Sequence, residues 1–267
     1  MKDQISSSYR KATQDKYLTE CVFPNPKRRL VVMGCSEDQE QPNIGDAIWK
    51  EWDDRMCPHQ DSDPSTWASS FSFSKSGVPA ERTSDIGALD TVDTIVFNNG
   101  TTHLDWIEDQ PEEMIGQVIH DTLYASMVGA QQFVKATLNK PYLKYIVFIG
   151  SMAYNHVLNG SAPYCAAKAG LAHYARCLTY ELAPKGYRVF VVHPSNVANA
   201  PMTEATIQGL MRYRRLSRPE AESYWSAEAP MGRFLTKEEV AETVVDLVDG
   251  EHDHMNGAQI ELGMGGR

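Results

Sequence analysis

Four short, almost uninterrupted apolar runs and one shorter alternating run near the C-terminal end punctuate the chain, and stretches of helical periodicity lie between them. The runs are Arg29-Leu-Val-Val-Met-Gly34, Asp93-Thr-Ile-Val-Phe-Asn-Asn-Gly100, Tyr142 to Gly150, Tyr187-Arg-Val-Phe-Val-Val-His193 and Ala258-Gln-Ile-Glu-Leu262. A strand with one wet face alternates polar and apolar residues, whereas a strand covered on both faces reads as a continuous apolar run. The intervening segments carry the other period. Ile44 to Met56 places Ile44, Ala47, Ile48 and Trp52 on one side, and Pro111 to Leu138 repeats Met114, Ile115, Val118, Ile119, Leu123 and Phe133. Tyr164 to Leu182 reads as a long helix. Thr236 opens another through Val248, with Glu239 at the third position for a capping box. Strands buried on both faces, separated by helices, require an α/β fold: a doubly wound parallel sheet with helices on both sides. Trp67 to Phe73 alternates and reads as a further short strand.

The chain of 267 residues is expected to form one domain over residues 29–267, preceded by a polar arm, 1–28, broken by Pro24 and Pro26. No apolar stretch approaches the twenty or so residues of a membrane span. The net charge of −10 disfavours nucleic acid and anionic membranes as partners. Five scattered cysteines without a Cys-x-x-Cys, and no charged start followed by an apolar segment, point to reduced thiols and a cytoplasmic protein. His252-Asp-His254 has no third ligand at useful spacing, so no metal is expected.

Chemistry is concentrated around Ser161-Ala-Pro-Tyr164-Cys-Ala-Ala-Lys168-Ala-Gly170. Tyr164 and Lys168 share a helix face at i, i+4. A free tyrosine titrates near ~10. A neighbouring ammonium favours the phenolate and is expected to lower that value into a range useful for proton transfer at a carbonyl. Ser151 ends the run Tyr145-Ile-Val-Phe-Ile-Gly-Ser151, thirteen residues before the tyrosine, where it can orient a carbonyl oxygen. Taken alone, the Tyr-x-x-x-Lys spacing also suits an ordinary surface helix. No Gly-x-Ser-x-Gly surrounds Ser151, so a serine-hydrolase elbow is absent.

The ordered set of motifs resembles the short-chain dehydrogenase/reductase family over roughly residues 29–267. Asn98-Asn99-Gly100 resembles the family's Asn-Asn-Ala-Gly turn, and Ser151, Tyr164 and Lys168 fall on its catalytic serine, tyrosine and lysine. Glu181-Leu-Ala-Pro-Lys-Gly-Tyr-Arg-Val189 resembles its helix-to-strand passage. His193-Pro-Ser-Asn-Val197 resembles its Pro-Gly-x-Val turn, with Ser195 replacing the glycine; Pro194, Ser195 and Val197 would meet the nicotinamide together with a following hydroxyl. Pro230-Met-Gly-Arg233, Glu238-Glu-Val-Ala241 and Asn256-Gly257 match later stretches. The resemblance implies a Rossmann-like fold, a small carbonyl or alcohol substrate, an NADP or NAD cofactor and a substrate lid at about 196–232. It also implies a homodimer or homotetramer built on the helices at 112–138 and 164–182. The alternative to assembly is a monomer whose arm covers those helices.

The chain departs from the family pattern at two sites. The glycine-rich loop is replaced by Gly34-Cys-Ser-Glu37-Asp38-Gln-Glu40-Gln-Pro-Asn43-Ile44-Gly45, longer and acidic, in which Gly34, Asn43, Ile44 and Gly45 take the cofactor-binding places. Carboxylates facing a pyrophosphate would weaken its binding. The family's relay asparagine is also absent. A gap-free alignment places Thr122 there, a shift of one turn selects Ser126, and proton delivery rerouted through His120 is the other possibility. Asp85 resembles the family's adenine-binding acid. Lys75 either meets a 2′-phosphate, leaning the cofactor toward NADP, or is a surface lysine. These departures leave a second reading open: a relative that binds nucleotide or acts as a scaffold with weak or no turnover. Arg212-Tyr-Arg214-Arg215-Leu-Ser-Arg218 is either a solvated helix face or a site for a carboxylate, phosphate or acyl carrier.

Overall fold

In a computed structural model of the chain, the described residues are 30–33, 44, 47, 48, 50, 51, 89, 92–227 and 229–264. The expected arm at 1–28, the expected strand at 67–73, and Gly34, Asn43, Gly45, Lys75 and Asp85 lie outside them, as do Glu37, Asp38 and Glu40.

The four apolar runs and the alternating run each become a strand of one parallel sheet: β1 Leu30–Met33, β2 Thr94–Phe97, β3 Lys144–Ile149, β4 Tyr187–Pro194 and β5 Gln259–Leu262, adjacent in that order. Val96 pairs with Val147, Val147 with Phe190, and Val192 with Ile260. Because side chains alternate, one face presents Val32, Val96, Val147, Phe190 and Val192, and the other Ile95, Phe97, Ile146, Phe148, Val189 and Val191. Both faces are buried across β2, β3 and β4, as their unbroken apolar runs require, whereas the edge strand β5 is half-buried. The first face is covered by a C-terminal helix through Val240, Val244 and Val248, and by the helical residues Ile44, Ala47 and Ile48. The second is covered by two helices through Ala130, Phe133, Leu171, Ala175 and Leu178. Each fully buried side chain of this kind stabilises by about 1.5–3 kcal/mol.

The helices are α1 Glu112–Ile119, α2 Ala125–Thr137, α3 Ala162–Leu182, α4 Pro201–Tyr213, α5 Arg218–Ser226 and α6 Lys237–Val248. The stretch expected as one helix from Pro111 to Leu138 is divided by a π-helical turn at His120–Tyr124. Periodicity alone conceals such a turn here, because its inward positions, Thr122 and Ser126, are polar and the apolar pattern does not register the inserted residue. α3 begins with Pro163 in its first turn and presents Ala167, Ala172 and Ala175 to the sheet, which allows close approach. The chain leaves it through Gly186, whose φ of +77° needs a residue without Cβ. α6 carries the expected capping box: Glu239 N–H donates to Thr236 Oγ1 at 3.1 Å, and Thr236 N–H donates to Glu239 Oε2 at 2.8 Å. The excursion at 196–232 is largely helical. α4 and α5 share a small core of Ile207, Leu210, Tyr213 and Ala221 with Leu104. A Cβ on Gly209 would lie 2.7 Å from Leu104 Cβ, so this glycine lets α4 close onto the segment after β2.

Candidate active site

Parallel strands end on one edge, and that edge gathers the residues singled out in the sequence. The turn Asn98–Gly100 follows β2, Ser151 follows β3, and Pro194, Ser195 and Val197 end or follow β4. Asn98 N–H donates to Met33 O at 3.0 Å, which ties the turn to the end of β1. Ser195 N–H donates to Leu262 O at 3.1 Å, and Val197 pairs with Leu235, so the β4 turn is held by backbone. The first hydroxyl after Val197 is that of Thr203, and it donates to Val197 O at 2.6 Å.

α3 brings Tyr164 and Lys168 to this edge. Both are buried, at 6% and 3% exposure, so the surface-helix alternative does not hold. Lys168 Nζ donates to Ile149 O at 2.8 Å, which anchors it to the last residue of β3. Ser151 Oγ accepts from Ala153 N–H at 3.2 Å, capping the short 3₁₀ turn Met152–Tyr154. The phenol of Tyr164 donates to Met202 Sδ at 3.4 Å. Burial drives both titratable groups toward their neutral forms. Lys168 falls to about 7, and Tyr164 rises to about 12 despite a hydrogen bond to Ser151 that works the other way. The expected lowering of the phenol by the ammonium is therefore reversed. Lys168 Nζ lies 5.7 Å from the ring centroid and, with its own pKa lowered by burial to about 7, carries no charge where the phenol titrates. The protonated phenol is the form that can give a proton to a carbonyl.

The π-helical turn explains how Thr122 reaches the site. A widened turn frees backbone carbonyls and re-aims side chains. Asn99 Nδ2 donates to the freed Asp121 O at 3.2 Å and to Ser126 Oγ at 3.3 Å, while Ser126 Oγ donates to Thr122 O at 3.1 Å. Thr122, fully buried, donates to Thr101 O at 3.4 Å. A Cβ placed on Gly100 would lie 3.3 Å from Thr122 Oγ1 and 3.6 Å from Lys168 Nζ, so the two polar groups flank one small space. Ser126 is occupied one turn along, bracing Asn99. His120 Nδ1 meets the Asp121 carboxylate at 2.9 Å, on its own turn.

Three residues of this region do not stand out in the sequence. Met202 carries no signal. His193 and Gln259 are visible there only as parts of strands, although Gly150, next to Ser151, marks a close approach: a Cβ there would fall 2.3 Å from His193 Nδ1. The arginine cluster is mostly engaged by neighbouring groups. Arg212 donates to Leu104 O at 2.6 Å and pairs with Asp105 at 3.5 Å. Arg214 donates to Tyr213 Oη at 2.8 Å, and Arg218 binds Glu204 and Glu222. Exposed Arg215 alone of the four is left without a partner among the described residues. Asp253, between His252 and His254, accepts from Tyr145 Oη at 2.9 Å.

The edge suits a nicotinamide nucleotide. Open sheets bind ligands beyond the carboxyl ends of their strands. Here the space beside Gly100 is one that a Cβ would fill, and buried Asn99 Oδ1 in the same turn has no partner among the described residues. No helix among the described residues is long and apolar enough to cross a membrane.

Comparison with known proteins agrees. The family model described as enoyl-(acyl carrier protein) reductase matches residues 83–265, well over half of the chain. The inactive 2-(S)-hydroxypropyl-CoM dehydrogenase 2 of Xanthobacter autotrophicus is 27% identical over 161 residues, covering 60% of this chain and 67% of that protein. The 3-oxoacyl-(acyl-carrier-protein) reductase FabG of Rickettsia typhi is 26% identical over 180 residues, covering 67% of this chain and 69% of that one. Among solved structures, an actinorhodin polyketide ketoreductase variant with NADPH superposes with a TM-score of 0.73 at 21% identity, covering 91% of this chain and 99% of that one, a likeness of fold. The chain thus belongs to the short-chain dehydrogenase/reductase family, a family of NAD(P)-dependent oxidoreductases.

Proposed function

We propose that the protein interconverts a carbonyl and an alcohol at the site formed by Ser151, Tyr164, Lys168 and Thr122. The observation that carries this reading is the burial of a protonated phenol beside Ser151, with a lysine of lowered pKa one turn along the same helix. A nicotinamide cofactor, when bound, supplies or accepts the hydride. Tyr164 gives its proton to the carbonyl oxygen as negative charge develops there, and takes it back in the reverse direction. Ser151 Oγ donates a hydrogen bond to the same oxygen and orients it. Lys168, which would bind the ribose hydroxyls of the cofactor, and the Thr122 hydroxyl serve to return a proton to the phenol. Ile44, Asn98, Asn99, Gly100, Pro194, Ser195 and Val197 hold the cofactor, together with Gly34, Asn43, Gly45 and Asp85 in the segments outside the described residues. Lys75 favours NADP over NAD. Residues 196–232 act as the lid of the domain 29–267.

The names of several relatives make 3-oxoacyl thioesters the first carbonyls to try. The scattered cysteines favour the cytoplasm. A homodimer or homotetramer is formed through the outer sides of the helical stretches at about 112–138 and 164–182, where Tyr124 is 49% and Tyr180 87% exposed. The contending reading, binding without turnover, is favoured by Met202, whose sulfur stands at the phenol where a substrate oxygen would bind. One relative is itself named inactive. Tryptophan-quenching titrations with NADH and NADPH, followed by turnover on a carbonyl panel, separate the two. Binding with turnover that Tyr164→Phe abolishes supports the enzyme; binding with no turnover on the panel supports the alternative.

A further inference from the structure

The reaction proposed above makes no use of His193 on β4, a fully buried titratable side chain. Its surroundings are specific. Gly150 makes room for it, since a Cβ at that position would lie 2.3 Å from Nδ1 and 2.7 Å from Cε1. Tyr154 stacks on the ring with centroids 3.9 Å apart. Gln259 on β5 meets Nε2 at 2.8 Å. Ser151 meets Nδ1 with both its backbone groups, N–H at 3.3 Å and carbonyl at 3.1 Å.

The network decides where the ring proton sits. Gln259 Nε2 donates to Ala172 O of α3 at 3.0 Å, so the amide oxygen is the end that faces His193. An oxygen there accepts, hence His193 Nε2 donates. The neutral ring then has a bare Nδ1, which accepts the N–H of Ser151. A doubly protonated ring donates from both nitrogens. Nδ1–H then turns to the Ser151 carbonyl, and the Ser151 N–H loses its acceptor.

We propose that His193 is a positioning residue for Ser151. The bare Nδ1 fixes the backbone of Ser151, and Gln259 passes that restraint to α3, the helix carrying Tyr164 and Lys168. Protonation of the ring breaks the arrangement. This assignment rests on the reading of Ser151 as the group that orients the substrate oxygen. The groups facing the ring set the titration. Burial lowers its pKa below the usual 6.5, and the charge of Lys168 acts in the same sense. The hydrogen bonds to Gln259 and to the Ser151 carbonyl, and the charge of Glu261, oppose it. Tyr154 is neutral at physiological pH, its pKa raised by its bond to Glu261. The ring is therefore neutral at neutral pH and charges only in acid.

The proposal is tested by an NMR titration of the full chain labelled with ¹⁵N-histidine and ¹⁵N-serine, from about pH 5 to pH 9. His193→Asn and Ser151→Ala assign the two signals. The expected result is a ring protonated on Nε2 alone at high pH, with the Ser151 amide moving at the ring's own midpoint, below 6.5. His193→Asn, whose Oδ1 replaces the Nδ1 acceptor, should abolish the pH dependence of that amide. A ring protonated on Nδ1, or an amide that does not follow the ring, overturns the proposal. Where His193→Asn does not fold, the wild-type titration decides alone. In turnover of acetoacetyl thioester with NADPH, kcat should fall about tenfold per pH unit below the midpoint, and His193→Asn should flatten that limb while keeping kcat at high pH within about threefold. An acid limb unchanged in His193→Asn also overturns it. Absence of turnover in the wild type strikes the functional reading instead, and the two NMR signals still decide the role of His193.

Discussion

Replacing Lys168 with methionine tests the electrostatics of the site through stability, with no substrate needed. The lysine is 3% exposed, and burial lowers its pKa from 10.5 to about 7. The unfolded chain then binds more protons than the folded one between those values, so folding stability rises with pH across that window. Below it both states carry the charge, and the folded state bears the full desolvation penalty. At about 1.4 kcal/mol per pH unit the ceiling on that penalty is about 5 kcal/mol. Methionine keeps most of the volume and has no charge to desolvate. It also leaves Ile149 O without its donor at 2.8 Å, a loss of about 1–3 kcal/mol that does not depend on pH. Lys168→Met is therefore expected to be the more stable protein at pH 6 by a few kcal/mol. That advantage should shrink by about 1.4 kcal/mol for each pH unit above 7. Urea unfolding of both proteins at pH 6, 7.5 and 9 measures the difference. Tyr164, whose pKa is raised to about 12, does not titrate in that range. A stability difference that is flat from pH 6 to pH 9 would refute the argument, because it would mean that the lysine stays charged and solvated in the folded protein.

Tyr164→Phe removes the proton donor and is expected to lower turnover about 10²–10⁴-fold while leaving NADPH affinity close to wild type in a quenching titration; retention of full turnover would remove the phenol from the mechanism. Gly150→Ala forces a methyl to within 2.3 Å of His193 Nδ1 and 3.0 Å of Val191 Cγ1, and is expected to destabilise by about 1–3 kcal/mol or more. Gly116→Ala on exposed α1 meets nothing within 4 Å and is expected to stabilise by about 0.5–1 kcal/mol, so the two melting temperatures should move in opposite directions. Light scattering at micromolar concentration should return at least twice the mass of one chain; a monomer would leave Tyr124 and Tyr180 to be covered by the arm or by water.

The strands and helices are readable in the sequence because burial on both sheet faces writes itself as continuous apolar runs, and the capping box at Thr236 and Glu239 has one geometric meaning. Tyr164, Lys168 and Ser151 can be brought to one edge from sequence because i, i+4 spacing and the end of a strand are local facts. The pKa of the phenol is not readable. Its direction follows from burial, which neutralises the lysine as well as the phenol, and burial is set by how deeply α3 packs on the sheet; Met202, which meets the phenol, arrives from α4, 38 residues away in sequence. The π-helical turn is hidden for a related reason. The extra residue falls among polar positions, where the apolar pattern does not register it, yet it decides that Thr122 faces Gly100 and Lys168 while Ser126 braces Asn99. His193 shows in the sequence only as part of a strand and the turn it opens, because the partners that define it, Gln259 and Gly150, come from two other strand ends.

Buried Lys168, buried His193, the Oδ1 of Asn99, which has no partner among the described residues, and the widened turn at His120–Tyr124 each lower stability when considered singly. All lie at or beside the carboxyl ends of β2, β3 and β4. Buried Asp93 and Lys144 stand at the opposite edge, where Asp93 accepts from Thr94 Oγ1 at 2.7 Å and Lys144 Nζ donates to Lys140 O at 3.0 Å. Polar groups held at the edge where an open sheet binds ligands are the pattern expected when they are kept in place for chemistry. Removing one of them should then stabilise the fold and impair the site together. Lys168→Met is the variant in which both halves of that expectation can be measured on one protein: a gain in unfolding free energy at low pH, and a loss of cofactor affinity and turnover. A variant that gained stability and kept both functions would show that the buried lysine is a defect of packing rather than part of the site.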